Sequence, residues 1–158
     1  MASTATRNGT IREYLKRVEE LYGSVRDWMS DRPGIKFLRG ETRLNEQYSG
    51  PYKARVLKVA QAGGPAFTFV PKGAYSIGDR GQVDVEGPLG SESLVWVEEG
   101  APGIAFRELA DGRIESLRGR PMFPGVPEGW AWVDSARRRL VHLDRDVFLK
   151  DVIGSLSE

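Results

Sequence analysis

The chain has 158 residues, 40% of them hydrophobic and 28% charged, with a formal net charge of +1 and no cysteine. That length is one ordinary domain, large enough to bury a core without disulfide or metal staples. The missing cysteines exclude thiolate metal sites and cysteine nucleophiles and fit a reducing cytoplasm. The near-neutral charge argues against a broadly electrostatic nucleic-acid binder.

The charge is uneven along the chain. Residues 1–60 hold 12 basic and 7 acidic residues, residues 61–100 hold 2 and 6, and residues 101–158 hold 9 and 9. No apolar run approaches the roughly 18 residues of a membrane span. The first ten residues are polar and lack the apolar core of a signal peptide.

Residues 1–9 read as a flexible N-terminus, and 10–158 as a single α+β domain. A long amphipathic helix opens the domain. Ile11, Tyr14, Leu15, Val18, Leu21, Tyr22, Val25, Trp28 and Met29 recur at helical spacing. Thr10 and Glu13 fit a capping box at its start, and Pro33-Gly34 stops it. Glu13–Arg17 and Lys16–Glu20 are spaced for ion pairs on the wet side. The apolar stripe is expected to pack on the domain's own sheet. A homodimer through this helix is the sharper alternative.

A largely antiparallel meander follows. Strands are expected over 35–39, 43–48, 52–60, 66–70, 74–78, 82–86, 93–98, 103–109, 113–118, 130–134 and 139–143. Hairpin turns are expected at Gly78 to Gly81, Ala110 to Gly112 and Asp134 to Arg138, where Gly and Asp tolerate positive φ. Gly119 to Gly129, with Pro121, Pro124 and Pro127, reads as a loop crossing the sheet edge. A short C-terminal helix, capped by Asp144, carries Phe148, Leu149, Val152, Ile153 and Leu156 on one face. Two apolar stripes suggest two helices covering one sheet face, and a strongly curled sheet is the nearest alternative.

The chemistry is sparse. The single histidine, His142, excludes multi-histidine metal sites and reads as a half-buried strand residue. No Gly-x-Ser-x-Gly elbow, Walker A loop or Gly-x-Gly-x-x-Gly fingerprint occurs. No cofactor and no metal are assigned. Asp84 and Glu86 alternate along one strand and, with Glu98, form the one acidic constellation worth testing as a metal-assisted hydrolase. The bland reading puts that row on a solvent face, with Val83 and Val85 inward. Ile77-Gly78-Asp79-Arg80 with Ser91-Glu92-Ser93 resembles, over a small part of the chain, the phosphothreonine-binding turns of forkhead-associated domains. The second turn lacks its histidine and Arg80 falls one position late, so no phosphopeptide site is assigned.

The remaining candidate is aromatic and basic. Trp130 and Trp132 share a strand face, next to Arg137-Arg138-Arg139 at a hairpin tip. Facing inward, the tryptophans are core; facing outward, they join the arginines in a partner-binding patch. The leading expectation is therefore a non-enzymatic protein-interaction module: a small bacterial cytoplasmic accessory, regulatory or immunity protein. A nucleic-acid-associated protein using the basic N-terminal third and the arginine tip is the alternative.

Overall fold

A computed structural model describes residues 4–46, 50–74, 81–97, 106–108, 110–116 and 127–157. Helix α1 spans Thr4–Met29. Among the described residues nine strands follow: β1 Lys36–Glu46, β2 Gly50–Ala60, β3 Phe67–Gly73, β4 Gln82–Gly87, β5 Gly90–Val97, β6 Phe106–Glu108, β7 Ile114–Ser116, β8 Gly129–Asp134 and β9 Arg139–His142. The chain ends in a wide π-type turn, Val147–Val152, running into helix α2, Ile153–Ser157.

Seven strands form one sheet in the order β1-β2-β3-β4-β5-β8-β9, and every pairing in it is antiparallel. β6 and β7 form a separate hairpin in the excursion between β5 and β8. The meander follows from short connections. β4 and β5 turn over Pro88-Leu89, with Gly87 opposite Gly90.

Helix α1 begins at Thr4 rather than Thr10, so the expected boundary at residue 10 lies inside it and Thr10–Glu13 is not its start. Tyr14, Val18, Leu21, Tyr22, Val25 and Met29 are buried, while Arg12, Glu13, Lys16, Glu20 and Asp27 are exposed. Each fully buried Val, Leu or Met stabilises by roughly 1.5–3 kcal/mol. An exposed i, i+4 pair such as Glu13–Arg17, formed at 3.2 Å, contributes about 0.5 kcal/mol or less. Burial therefore decides where the helix sits. Tyr22 fixes its depth: its hydroxyl donates to the Arg55 carbonyl at 2.6 Å, and its ring stands edge-on to Phe69. Burial and the nearby Glu19 raise the Tyr22 pKa well above the ordinary phenol range.

Both helices feed one core. It joins α1 to Leu57, Val59, Phe67, Phe69, Val83, Val85 and Leu94 of the sheet and to Phe148, Val152, Ile153 and Leu156 of the C-terminal segment. The Asp144 carboxylate accepts from the Val147 N–H at 2.8 Å, capping that segment as expected. Ile11, Leu15 and Trp28 of α1 are partly buried against the same core.

Three strand expectations change. Strands expected over 35–39 and 43–48 are one continuous strand, because Gly40 remains paired with Val56. β3 runs on to Gly73 through Pro71. Proline is tolerated there because pairing with β2 stops at Phe69 and the register with β4 shifts between Pro71 and Gly73. The expected strand 74–78 and turn 78–81 lie outside the described residues except Ala74, a turn residue, and Gly81. So do Glu98 and the proline-rich loop up to residue 126.

Candidate functional site

The β8–β9 turn is the most specified polar feature on the surface. β8 ends at Asp134, which pairs with Arg139 across a four-residue turn, Ser135 to Arg138. Asp134 is only 3% exposed, so its carboxylate must be satisfied locally. Arg139 Nε donates to Oδ2 at 2.9 Å, Arg137 Nη1 reaches the same oxygen at 3.4 Å, and the Arg137 backbone N–H donates to Oδ1 at 3.4 Å. Arg138, between them, takes a left-handed backbone with φ 52°. All three arginines remain exposed. One buried carboxylate thus holds a compact cationic turn in place and leaves the Arg138 side chain free of any ion pair among the described residues.

The tryptophans are not part of that surface. Trp130 and Trp132 share a face, as their alternation requires, and that face is the core. Trp130 stands edge-on to Trp96 with centroids 5.8 Å apart, and its Nε1 donates to the Arg17 carbonyl at 3.0 Å. Arg17 also lies over the Trp96 ring at 4.3 Å. Trp132 Nε1 donates to Glu92 Oε2 at 3.0 Å, and Ser155 Oγ donates to Glu92 Oε1 at 3.1 Å. Of the five expected partner-binding residues, the structure brings together Arg137, Arg138 and Arg139 at the surface and leaves Trp130 and Trp132 inside.

The second face of the sheet is not a solvent face at β4. Val83 and Val85 point into the main core as expected, but Asp84 and Gln82 on the other side are buried as well. Asp84 Oδ1 accepts from Gln82 Nε2 and from Ser93 Oγ, both at 2.9 Å. Burial pushes the Asp84 carboxyl pKa upward, opposed by those two hydrogen bonds. A cavity of about 70 Å³ opens beside it, lined by Ser91, Glu92, Ser93, Gly112, Val133 and Ser135. Glu86 is exposed, and Glu92 turns its carboxylate to the opposite face, toward Trp132 and Ser155. Among the described residues no three of His, Asp and Glu gather to ligate a metal. His142 is exposed on β9.

The basic N-terminal third forms a different surface. Arg39 and Arg43 of β1 and Lys53 of β2 are exposed and have no ion-pair partner among the described residues, while Arg55 pairs with Glu19 at 3.1 Å. Arg43 sits directly opposite Lys53. This ribbon is at one edge of the sheet and the arginine turn at the other, with five strands between β1 and β9. At about 4.8 Å per strand that is roughly 30 Å along the sheet. The two basic regions are separate surfaces.

Sequence reading missed Asp134 as the anchor of the arginine turn. The signal was present: an aspartate followed three and five residues later by arginine, spanning a turn. It also missed the burial of Asp84 and Gln82, which alternation alone does not reveal. No protein-family model, curated protein or solved structure matches the chain.

Proposed function

We propose that this protein is a non-enzymatic interaction module that presents its β8–β9 arginine turn to an acidic segment of a partner protein. The observation that carries the reading is Asp134. A carboxylate 3% exposed fixes Arg137 and Arg139, so the cationic turn is preorganised rather than a set of free solvated side chains. Preorganisation lowers the ordering cost of binding, and arginine is enriched at interface hot spots. The cysteine-free chain suits a reducing cytoplasm, where this reading places the protein.

A polyanion such as duplex nucleic acid is the less supported partner. It would draw on both basic regions, and they occupy opposite edges of the sheet.

Fluorescence anisotropy with a labelled Asp/Glu-rich peptide tests the proposal, using a DNA duplex as comparator. The expected result is peptide binding weakened about tenfold or more by Arg138→Glu. Binding unaffected by Arg138→Glu would contradict the assignment of the turn. Preferential binding of DNA with a steep salt dependence would replace the protein partner with a nucleic acid.

A further inference from the structure

We propose that the cavity beside Asp84 binds a primary ammonium group, from a free small amine or from a lysine side chain. Asp84 on β4 lies directly opposite Ser93 on β5, and one step beyond the Leu94–Trp132 pair the register brings Val133 of β8 next to Ser93. These three residues line the cavity from the sheet. Gly112, in the turn between β6 and β7, lines it from outside the sheet, with Ser91 and Ser135 at the exposed rim.

The Asp84 carboxylate is buried but only half satisfied. Asp84 is 6% exposed. Its Oδ1 accepts from both Gln82 Nε2 and Ser93 Oγ. Its Oδ2 has no donor and no ion pair among the described residues. Gln82, fully buried beside it, likewise leaves Oε1 without a donor. Two acceptors on one buried patch therefore lack hydrogen, which is costly unless a donor arrives from outside. The protein does not supply the cation itself. Burial outweighs the attraction of Lys72, which Glu86 also opposes, and the Asp84 carboxyl pKa stays raised. Glu92, also at the wall, commits its carboxylate to Trp132 and Ser155.

The free groups select an ammonium over other cations. A guanidinium grips a carboxylate through two parallel bonds and needs both oxygens, one of which is taken. A divalent metal gathers several oxygens with more than one negative charge, and among the described residues no three of His, Asp and Glu come together. An ammonium is a compact charge with three donors. Asp84 Oδ2 and the hydroxyls of Ser91 and Ser135, which have no hydrogen bond among the described residues, offer acceptors for them. About 70 Å³ has room for an ammonium head and a short stem.

A ¹⁵N-edited NMR titration of the full chain with methylammonium chloride tests this, with tetramethylammonium chloride as a cation of equal charge and no N–H donor. Methylammonium should give saturable shifts at Asp84, Ser93 and Ser135 below about 100 mM, and tetramethylammonium none. Asp84→Asn keeps an acceptor for Gln82 and Ser93 and should weaken binding about tenfold or more. Ser135→Ala, at the exposed rim, should weaken it about threefold. Nα-acetyl-lysine methylamide binding tighter than methylammonium would assign the site to a lysine side chain, and the reverse order to a free amine. No saturable shift, equal shifts from tetramethylammonium or potassium, tighter binding of guanidinium than of methylammonium, or undiminished binding in either variant would each overturn the proposal.

Discussion

The rings of Trp28 and Phe148 lie 5.3 Å apart between centroids and join the last turn of α1 to the C-terminal helical segment. Phe148 also stacks on Phe69 at 6.0 Å, so helix, helix and sheet meet at one fully buried side chain. Phe148→Ala should therefore lower unfolding stability by about 3–5 kcal/mol, read by urea titration. Phe148→Leu should cost clearly less. Equal losses from the two variants would show that filled apolar volume is not what stabilises the junction.

Tyr14 is the second pinned aromatic. Its hydroxyl donates to the Gln82 carbonyl at 2.7 Å and accepts from the Gly73 N–H at 3.3 Å, and burial raises its pKa well above the ordinary range. Gly81 packs against the same ring, and a Cβ there would overlap its Cδ1. Gly81→Ala should destabilise by about 1–3 kcal/mol through overpacking. Tyr14→Phe should cost about 1–3 kcal/mol, since two backbone groups lose a partner. Combining Gly81→Ala with Tyr14→Ala should cost less than the sum of the two single changes, because the clash disappears with the ring.

Asp84 gives the fold a pH dependence. Its folded-state pKa lies above the unfolded value, so the native state favours the protonated carboxyl. Its contribution is fully present below the unfolded pKa and is lost as pH rises through the folded pKa. Asp84→Asn keeps an oxygen acceptor for Gln82 and Ser93 and removes the charge. The variant should gain Tm relative to the parent as pH rises through the carboxylate range, with a flat difference above it. A difference largest at pH 3 and absent at pH 7 would contradict this account.

Asp134→Ala should release the arginine turn. The expected loss is about 1–2 kcal/mol, because the arginines are exposed and regain water while the turn loses its bond from the Arg137 N–H. Proteolysis by trypsin at Arg137 to Arg139 should accelerate in the variant more than its global stability change explains.

Much of the fold was legible in the chain. The burial of Tyr14, Val18, Leu21 and Tyr22 follows their spacing, and the β8–β9 turn follows Asp134 to Arg138. What was not legible was non-local. Nothing near Gly40 signals that β1 continues through it, because the strand is held by β2 rather than by its own propensity. The pairing of Leu94 with Trp132 spans the β6–β7 excursion, and the burial of Asp84 depends on what lies over the second face. The candidate site was half legible. The three arginines could be named, but their anchor is a tertiary fact about how deeply Asp134 sits.

The central claim is that the turn held by Asp134 is the partner surface. A ¹⁵N-edited NMR titration of the full chain with the acidic peptide tests it most directly. The account predicts shift changes concentrated at Asp134 to Arg139, with β1 and β2 unaffected. Changes centred on Arg39, Arg43 and Lys53, or none at the turn at saturating peptide, would contradict it.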